Sequence, residues 1–306
     1  MNIQFLGTGA GLPSKFRNTQ SFVFNFMQEL RECWMFDCGE ATQHQILKTN
    51  IRPTKITKIF ISHMHADHVL GLIGFLTSRS FLLNKGDNKL TIYGPVGIKD
   101  YIEYNLKATS ATLTYEVDYM EFSEEVELIN NANVQVKAFP LKHHLQSYGY
   151  EIKFKEQAGS LKVDELQKLG IAPGPFYRQI KEQETFEYEG EIYQSKDYME
   201  QPKKEKKIVI VPDTKYFEML NTYLEDVDTL IIECTYLDKK DAPLAKKHTH
   251  LSLEDIEKLI VKNAPKNLYL THISARYTKE EELVAKKVLE QYTKTIVAKD
   301  LGEYNI

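Results

Sequence analysis

The sequence predicts an α/β fold in four layers, two sheets packed together with helices outside. Three observations carry that expectation. Apolar runs of strand length recur in both halves of the chain, at 56–61, 208–211, 229–232 and 267–270. Each stops at a histidine or an acid: His63, Asp213, Glu233 and His272. Helical spacing then resumes, as at 69–76, 252–263 and 278–292. Groups carried at strand ends gather along one edge of the sheets, where a rigid scaffold can hold them. With 306 residues and 42% hydrophobic content, the chain can bury a large core. One domain over 1–306 is expected, interrupted by an inserted flexible arm over about 156–206.

Residues 3–6 and 21–26 alternate as strands do. Between them, Gly7-Thr8-Gly9-Ala10-Gly11 is a turn that needs glycine's backbone freedom. No Gly-Lys-Ser/Thr follows, so it is not a Walker loop. Pro13-Ser14-Lys15-Phe16-Arg17-Asn18 is a polar loop with two cations. A third strand, 33–36, ends at Asp37 and a glycine turn. Residues 40–49 have helical spacing and include His44, which reads as a surface or packing histidine. The run 56–61 is apolar enough to be buried on both faces, and 69–76 is a packed helix. Strands are expected at 90–95, 115–120, 134–139 and 148–154, with a helix near 98–106. The 134–139 strand runs into Leu141-Lys142-His143-His144. From about 156 to 206 the chain turns rich in Glu, Lys, Gln and Tyr, with too little apolar surface to join the core fully. Ser252, with Asp255 three residues on, opens the helix to about 263. A strand at 295–298 closes the pattern.

The densest chemistry lies in Ser62-His63-Met64-His65-Ala66-Asp67-His68. Imidazoles and a carboxylate so closely spaced suit Zn²⁺ and related ions, and no strand or helix needs them for packing. His63 and His65 can face one way while Asp67 and His68 turn another. With His143, Asp213 and His272 at other strand ends, seven groups are available. His63, His65 and His143 suit one ion, Asp67, His68 and His272 a second, and Asp213 a bridge.

Composition narrows the alternatives. A net charge of −4 argues against a protein that merely coats nucleic acid, though not against local grip on phosphate. Lysines cluster at 203–207 and at 239–247, within loops. No run of 18 apolar residues exists, so no membrane span is expected. The first residues lack a signal-peptide pattern. Three cysteines without a C-x-x-C pair fit free thiols in a reducing cytoplasm.

The run His63-x-His65-x-Asp67-His68 resembles the mark of the metallo-β-lactamase superfamily, and more narrowly the ribonuclease Z family. The resemblance runs from Gly7-Thr8-Gly9 to Ala298-Lys299-Asp300. Pro13 to Asn18 matches that family's Pro-x-Lys-x-Arg-Asn loop. Leu141-Lys142-His143 with Gly149-Tyr150 matches its third ligand segment, which makes His143 the ligand rather than His144. Leu270 to Tyr277 matches its last ligand strand. Gly174-Pro175 matches its tRNA-gripping arm. Where the family has His-Glu-Ala-Thr, this chain has Ile232-Glu233-Cys234-Thr235, with the acid in register.

The resemblance implies a metallo-β-lactamase αββα sandwich that holds two Zn²⁺ per subunit, with Mn²⁺ or Fe²⁺ as alternatives. It implies an endonuclease that trims the 3′ trailer from precursor tRNA, acting as a homodimer. Asp67 would ligate and accept a proton. His250, favoured over His248 and oriented by Glu233, would protonate the leaving oxygen. Ser274 and Arg276 would contact phosphate, Lys15 and Arg17 would sense the tRNA end, and Gly174 and Pro175 would lie in the gripping arm. The rival reading on the same metal core is a hydrolase of a small phosphodiester or a thioester.

Overall fold

The computed structural model describes residues 1–84, 89–156, 159–202 and 204–306. Lys203 of the first lysine cluster, and residues 157 and 158 of the expected arm, lie outside them. The first six strands are β1 (Asn2–Gly7), β2 (Ser21–Phe26), β3 (Glu32–Phe36), β4 (Ile56–Phe60), β5 (Leu90–Pro95) and β6 (Val117–Phe122). Then come β7 (Val126–Asn130), β8 (Val134–Pro140) and β9 (Tyr148–Phe154). A short pair follows, β10 (Thr185–Tyr188) and β11 (Glu191–Gln194). The chain ends with β12 (Lys206–Val211), β13 (Thr229–Glu233), β14 (Asn267–Thr271), β15 (Lys294–Val297) and β16 (Glu303–Asn305). One seven-stranded sheet runs β16-β1-β2-β3-β4-β5-β6 and the other β15-β14-β13-β12-β9-β8-β7.

Alternation along the strands sorts the side chains into layers. On β2 and β3, Phe22, Phe24, Trp34 and Phe36 face the second sheet, and Val23, Cys33 and Met35 face helices. Phe60 of β4 stacks on Phe36 at 4.7 Å and meets Tyr150 of the other sheet at 5.4 Å. Phe5 of β1 lies 6.1 Å from Tyr269 of β14. These aromatic rings glue the sheets. On the outer faces, helices Leu72–Ser80 and Ile98–Ala108 cover the first sheet, and Leu253–Asn263 and Lys279–Leu289 cover the second. Both latter helices begin with a capping box, Ser252 with Asp255 and Thr278 with Glu281. Four layers result, the αββα arrangement expected.

Residues 131–134 and 153–206 form a second compact unit. Its apolar residues build a small core of their own, Leu161, Leu166, Ile171, Ile180 and Phe186. Helices Val163–Lys168 and Phe176–Glu182 and the β10–β11 hairpin enclose it. The alternating Phe186, Tyr188 and Tyr193, diluted by charge, gave little sign of a core in the sequence.

Candidate metal centre

The centre is built where β3, β4, β12, β13 and β14 end. After β4, the chain runs extended through His63 and His65, then turns into helix Ala66–Val69. A tight contact fixes that turn. Cys38 N–H donates to His68 O at 2.8 Å, and Gly71 N–H donates to Cys38 O at 2.9 Å. Only glycine allows it: a Cβ on Gly39 would sit 2.3 Å from Asp67 O, and one on Gly71 2.0 Å from Gly39 O. Asp213 lies two residues past β12 and His272 follows β14. Their parallel pairing through β13 brings both to one edge. His143 follows β8, held by Lys142 N–H donating to Thr214 Oγ1 at 3.0 Å.

Two groups of donors meet at Asp213. In one, His63 Nε2 and His143 Nε2 lie 2.9 and 3.2 Å from His65 Nδ1, and 3.7 and 3.8 Å from Asp213 Oδ2. In the other, His68 Nε2 and His272 Nε2 stand 3.3 Å apart, 3.5 and 3.3 Å from Asp213 Oδ1. Asp67 Oδ2 completes it, 3.5 Å from His68 and 3.3 Å from His272. Bonds of about 2.1 Å to one tetrahedral ion put its donors about 3.4 Å apart.

The remaining ring nitrogens decide which lone pairs point inward. His68 Nδ1–H donates to Asp37 Oδ2 at 2.8 Å. Ser62 O–H donates to the same oxygen at 3.0 Å, so Ser62 Oγ accepts from His63 Nδ1–H at 2.9 Å. His143 Nδ1–H donates to Thr249 O at 2.9 Å. Thr235 O–H donates to Glu233 Oε2 at 2.6 Å, so Thr235 Oγ1 accepts from His272 Nδ1–H at 3.0 Å. With these Nδ1 atoms engaged, the Nε2 atoms of His63, His68, His143 and His272 are the ones turned toward the centre, and His65 joins them with its Nδ1. Buried Asp213 Oδ1 accepts no hydrogen bond. Ring nitrogens that converge on a buried carboxylate oxygen without a hydrogen bond form a donor set that a cation between them would satisfy. These residues fit a metal centre.

Charge agrees with geometry. Burial, with His68 beside it, holds His63 well below the ordinary imidazole range. Burial also lowers His65 and His143, so all three are neutral donors. Burial opposes a charge on His68, but Asp213, Asp37 and Asp67 outweigh it and raise it well above that range. Burial likewise opposes ionising Asp213, and His272, His68 and His63 outweigh it and hold the carboxyl well below the usual range. That negative field is one a divalent ion would neutralise. Asp37, Thr249 and His272 each take a left-handed φ of 52–55°. Each costs about 1–2 kcal/mol, strain held at the site by the bonds just named.

Of the other candidates, Glu233 is fully buried, taking N–H bonds from Thr214 and Thr235 and the Nδ1–H of His250 at 3.0 Å. Burial disfavours a charge on His250, but Glu233 outweighs it and raises the imidazole to about 9. His250 Nδ1 is 3.9 Å from Asp213. His248, His144 and His44 are exposed. Ser274 is half-buried, and its Oγ accepts from exposed Arg276 Nε at 3.3 Å. Lys15 is exposed. Arg17 is not: it is 7% exposed and pairs with Glu282 at 2.6 Å, with further bonds to Thr8 Oγ1 and Ala298 O. Gly174 and Pro175 are exposed in the second unit, just before helix Phe176–Glu182.

Sequence reasoning passed over Asp37, Ser62 and Thr235 as orienters, and Gly11, whose N–H donates to Asp67 Oδ2 at 2.8 Å. Asp37 did carry a signal, since it stands at or just past a strand end as Asp213 and Glu233 do.

Comparison with known proteins fits this geometry. Residues 1–162 match the family model described as Anti-Pycsar protein Apyc1, just over half of the chain. A ribonuclease Z from Oceanobacillus iheyensis is 43% identical, with all of both chains covered. The chain belongs to the ribonuclease Z family. A ribonuclease Z from Bacillus subtilis is 42% identical, covering 100% of this chain and 99% of the relative. Among solved structures, the short form of human tRNase Z superposes with a TM-score of 0.71 at 25% identity, covering 100% of this chain and 99% of that one. YhfI from Bacillus subtilis, a metallo-β-lactamase fold protein, superposes at 0.66 with 17% identity and shows the shared fold. That fold is the metallo-β-lactamase fold. Among the described residues, no helix is long and apolar enough to cross a membrane.

Proposed function

We propose that this chain removes the 3′ trailer from precursor tRNA. It cuts after the discriminator base and leaves a tRNA 3′-hydroxyl and a trailer 5′-phosphate. One observation carries the reading: imidazole nitrogens converge on both oxygens of buried Asp213, in a chain 43% identical end to end to a ribonuclease Z.

His63, His65, His143 and Asp213 would hold one ion, and Asp67, His68, His272 and Asp213 a second. Zn²⁺ suits the nitrogen-rich donors, and Mn²⁺ or Fe²⁺ are the alternatives. Such an ion pair acidifies water and neutralises charge on a phosphoryl group. The protein's own groups supply the rest. Asp67, fixed by the Gly11 N–H, ligates and accepts the attacking water's proton. His250, charged at neutral pH through Glu233, donates a proton to the departing 3′-oxygen. Ser274 and Arg276 take phosphate, where the guanidinium can bind two oxygens. Lys15 meets the RNA near the cut, and Arg17 fixes the loop that carries it. The second unit, with Gly174 and Pro175, grips the tRNA body by its backbone, a recognition of shape rather than sequence.

A homodimer is part of the proposal. Leu47, Leu70, Phe81, Leu82 and Tyr104 are exposed on or beside the neighbouring helices Thr42–Ile46, Leu72–Ser80 and Ile98–Ala108. Such a patch marks a protein surface that is usually covered. The unpaired, buried Cys33, Cys38 and Cys234 fit a reducing cytoplasm.

The test is cleavage of a precursor tRNA with a short trailer, run beside bis-p-nitrophenyl phosphate and a thioester. One cut after the discriminator base is expected, abolished by chelator and slowed about 10²–10⁴-fold by His250→Ala. Thioester hydrolysis with the tRNA untouched would keep the centre and sink the substrate.

A further inference from the structure

Beyond the metal centre, a groove of about 640 Å³ is lined by Phe16, Ser274, Arg276, Lys279, Glu282 and Lys299 among others. It adjoins the centre through the chain itself. Ser274 lies two residues past His272, and Ala10 N–H donates to Ile273 O at 3.1 Å. Its volume is in the range of small-ligand sites.

The groove's carboxylates are occupied. Glu282 pairs with Arg17, and Asp300 accepts from Thr8 Oγ1 at 2.6 Å and from Asn18 N–H at 2.6 Å. What faces solvent is cationic and aromatic. Phe16 is 70% exposed at the tip of its loop. The Lys15 ammonium lies 5.8 Å from its ring centre and that of Lys279 5.5 Å. Arg276 lies over the Tyr236 ring at 5.1 Å. An exposed phenyl costs hydration and would be flexible on a loose loop. This loop is not loose, because buried Arg17 ties the next residue to Thr8, Ala298 and Glu282.

A held, largely exposed ring with two ammoniums beside it, at 5.8 and 5.5 Å from its centre, matches one chemistry, a nucleotide. The π-face accepts a stacked base, and the ammoniums take the flanking phosphates. Resting on the tRNA reading above, we propose that Phe16 is a stacking platform for the base of the first trailer nucleotide, with Lys15 and Lys279 holding the phosphates beside it. Stacking is tolerant of sequence, since every base has a π-face. Phe16 thereby acts on substrate binding rather than on the chemical step.

The experiment pairs a protein change with a substrate change. Single-turnover cleavage is measured for the intact chain and for Phe16→Ala and Phe16→Trp, with metal content and melting temperature recorded for each. Substrates are a precursor tRNA, the same RNA abasic at the first trailer nucleotide, and one abasic at the discriminator position. On the intact RNA, Phe16→Ala raises the half-saturating concentration about tenfold, with the saturated rate retained, and Phe16→Trp restores binding. The trailer abasic substrate costs the intact protein the same factor and costs Phe16→Ala nothing further. Multiplying losses, or coupling to the discriminator position instead, overturns the platform. A protein that cleaves bis-p-nitrophenyl phosphate but none of these RNAs overturns the tRNA reading itself.

Discussion

On one side of Asp213, His63, His65 and His143 offer three neutral imidazoles. On the other, His68 and His272 share their space with Asp67, and Asp37 stands behind His68. The first half is held by neutral acceptors, a serine hydroxyl and the Thr249 carbonyl. The second is held by charge, and its field raises His68 where burial alone would lower it. An imidazole half binds through geometry. A carboxylate half binds through geometry and attraction, and its loss is felt through a low-dielectric interior. The two halves are therefore not equivalent, although one loop supplies two donors to each.

The comparison breaks most simply at Asp213, the group both halves share. Asp213→Ala should leave less than one ion per chain and slow cleavage by at least about 10⁴-fold. Metal analysis that still finds two tightly held ions would deny the bridge. Asp37→Asn touches the charged half and should weaken one of two metal affinities about 10–100-fold. A chelator titration that shows both ions weakened alike would make the halves equivalent. Glu233→Gln lies behind both and removes no ligand. As the proposed donor His250 must be protonated, so activity is expected to fall as pH rises through its pKa. The raised value, about 9, returns toward 6.5 when the acid is lost. The alkaline limb of the rate profile should move to lower pH with metal content unchanged, and an unmoved limb would remove His250 as the proton donor. Ser62→Ala, which deletes a neutral hydroxyl that accepts from His63 and donates to Asp37, should cost about fivefold or less in metal affinity.

Legibility varied with the kind of constraint. Strands β4, β9, β12, β13 and β14 were readable because alternation and strand-end chemistry repeat locally. The capping boxes at Ser252 and Thr278 lie within four residues of sequence, so their helices were readable too. β16 was missed because three residues pairing with β1, nearly three hundred positions away, carry no local pattern. The second unit was read as an arm outside the core, and its own small core went unseen among charged neighbours. Arg17 illustrates the same limit. A cation in a polar loop looks free in sequence, yet Glu282 and the end of β15 lie over it in space.

By itself the sequence determined which residues could ligate, because His-x-His-x-Asp-His has no packing rationale and metal chemistry has few alternatives. It also determined the layers, because period-two alternation assigns each side chain a face. Only the tertiary structure decided that Asp213 presents one oxygen to each group, that Asp37 and Thr235 set the tautomers, and that Phe16 rather than Arg17 faces solvent. Those facts depend on separations of 3–4 Å between segments far apart in the chain, and such distances are fixed by packing, not by neighbours in sequence.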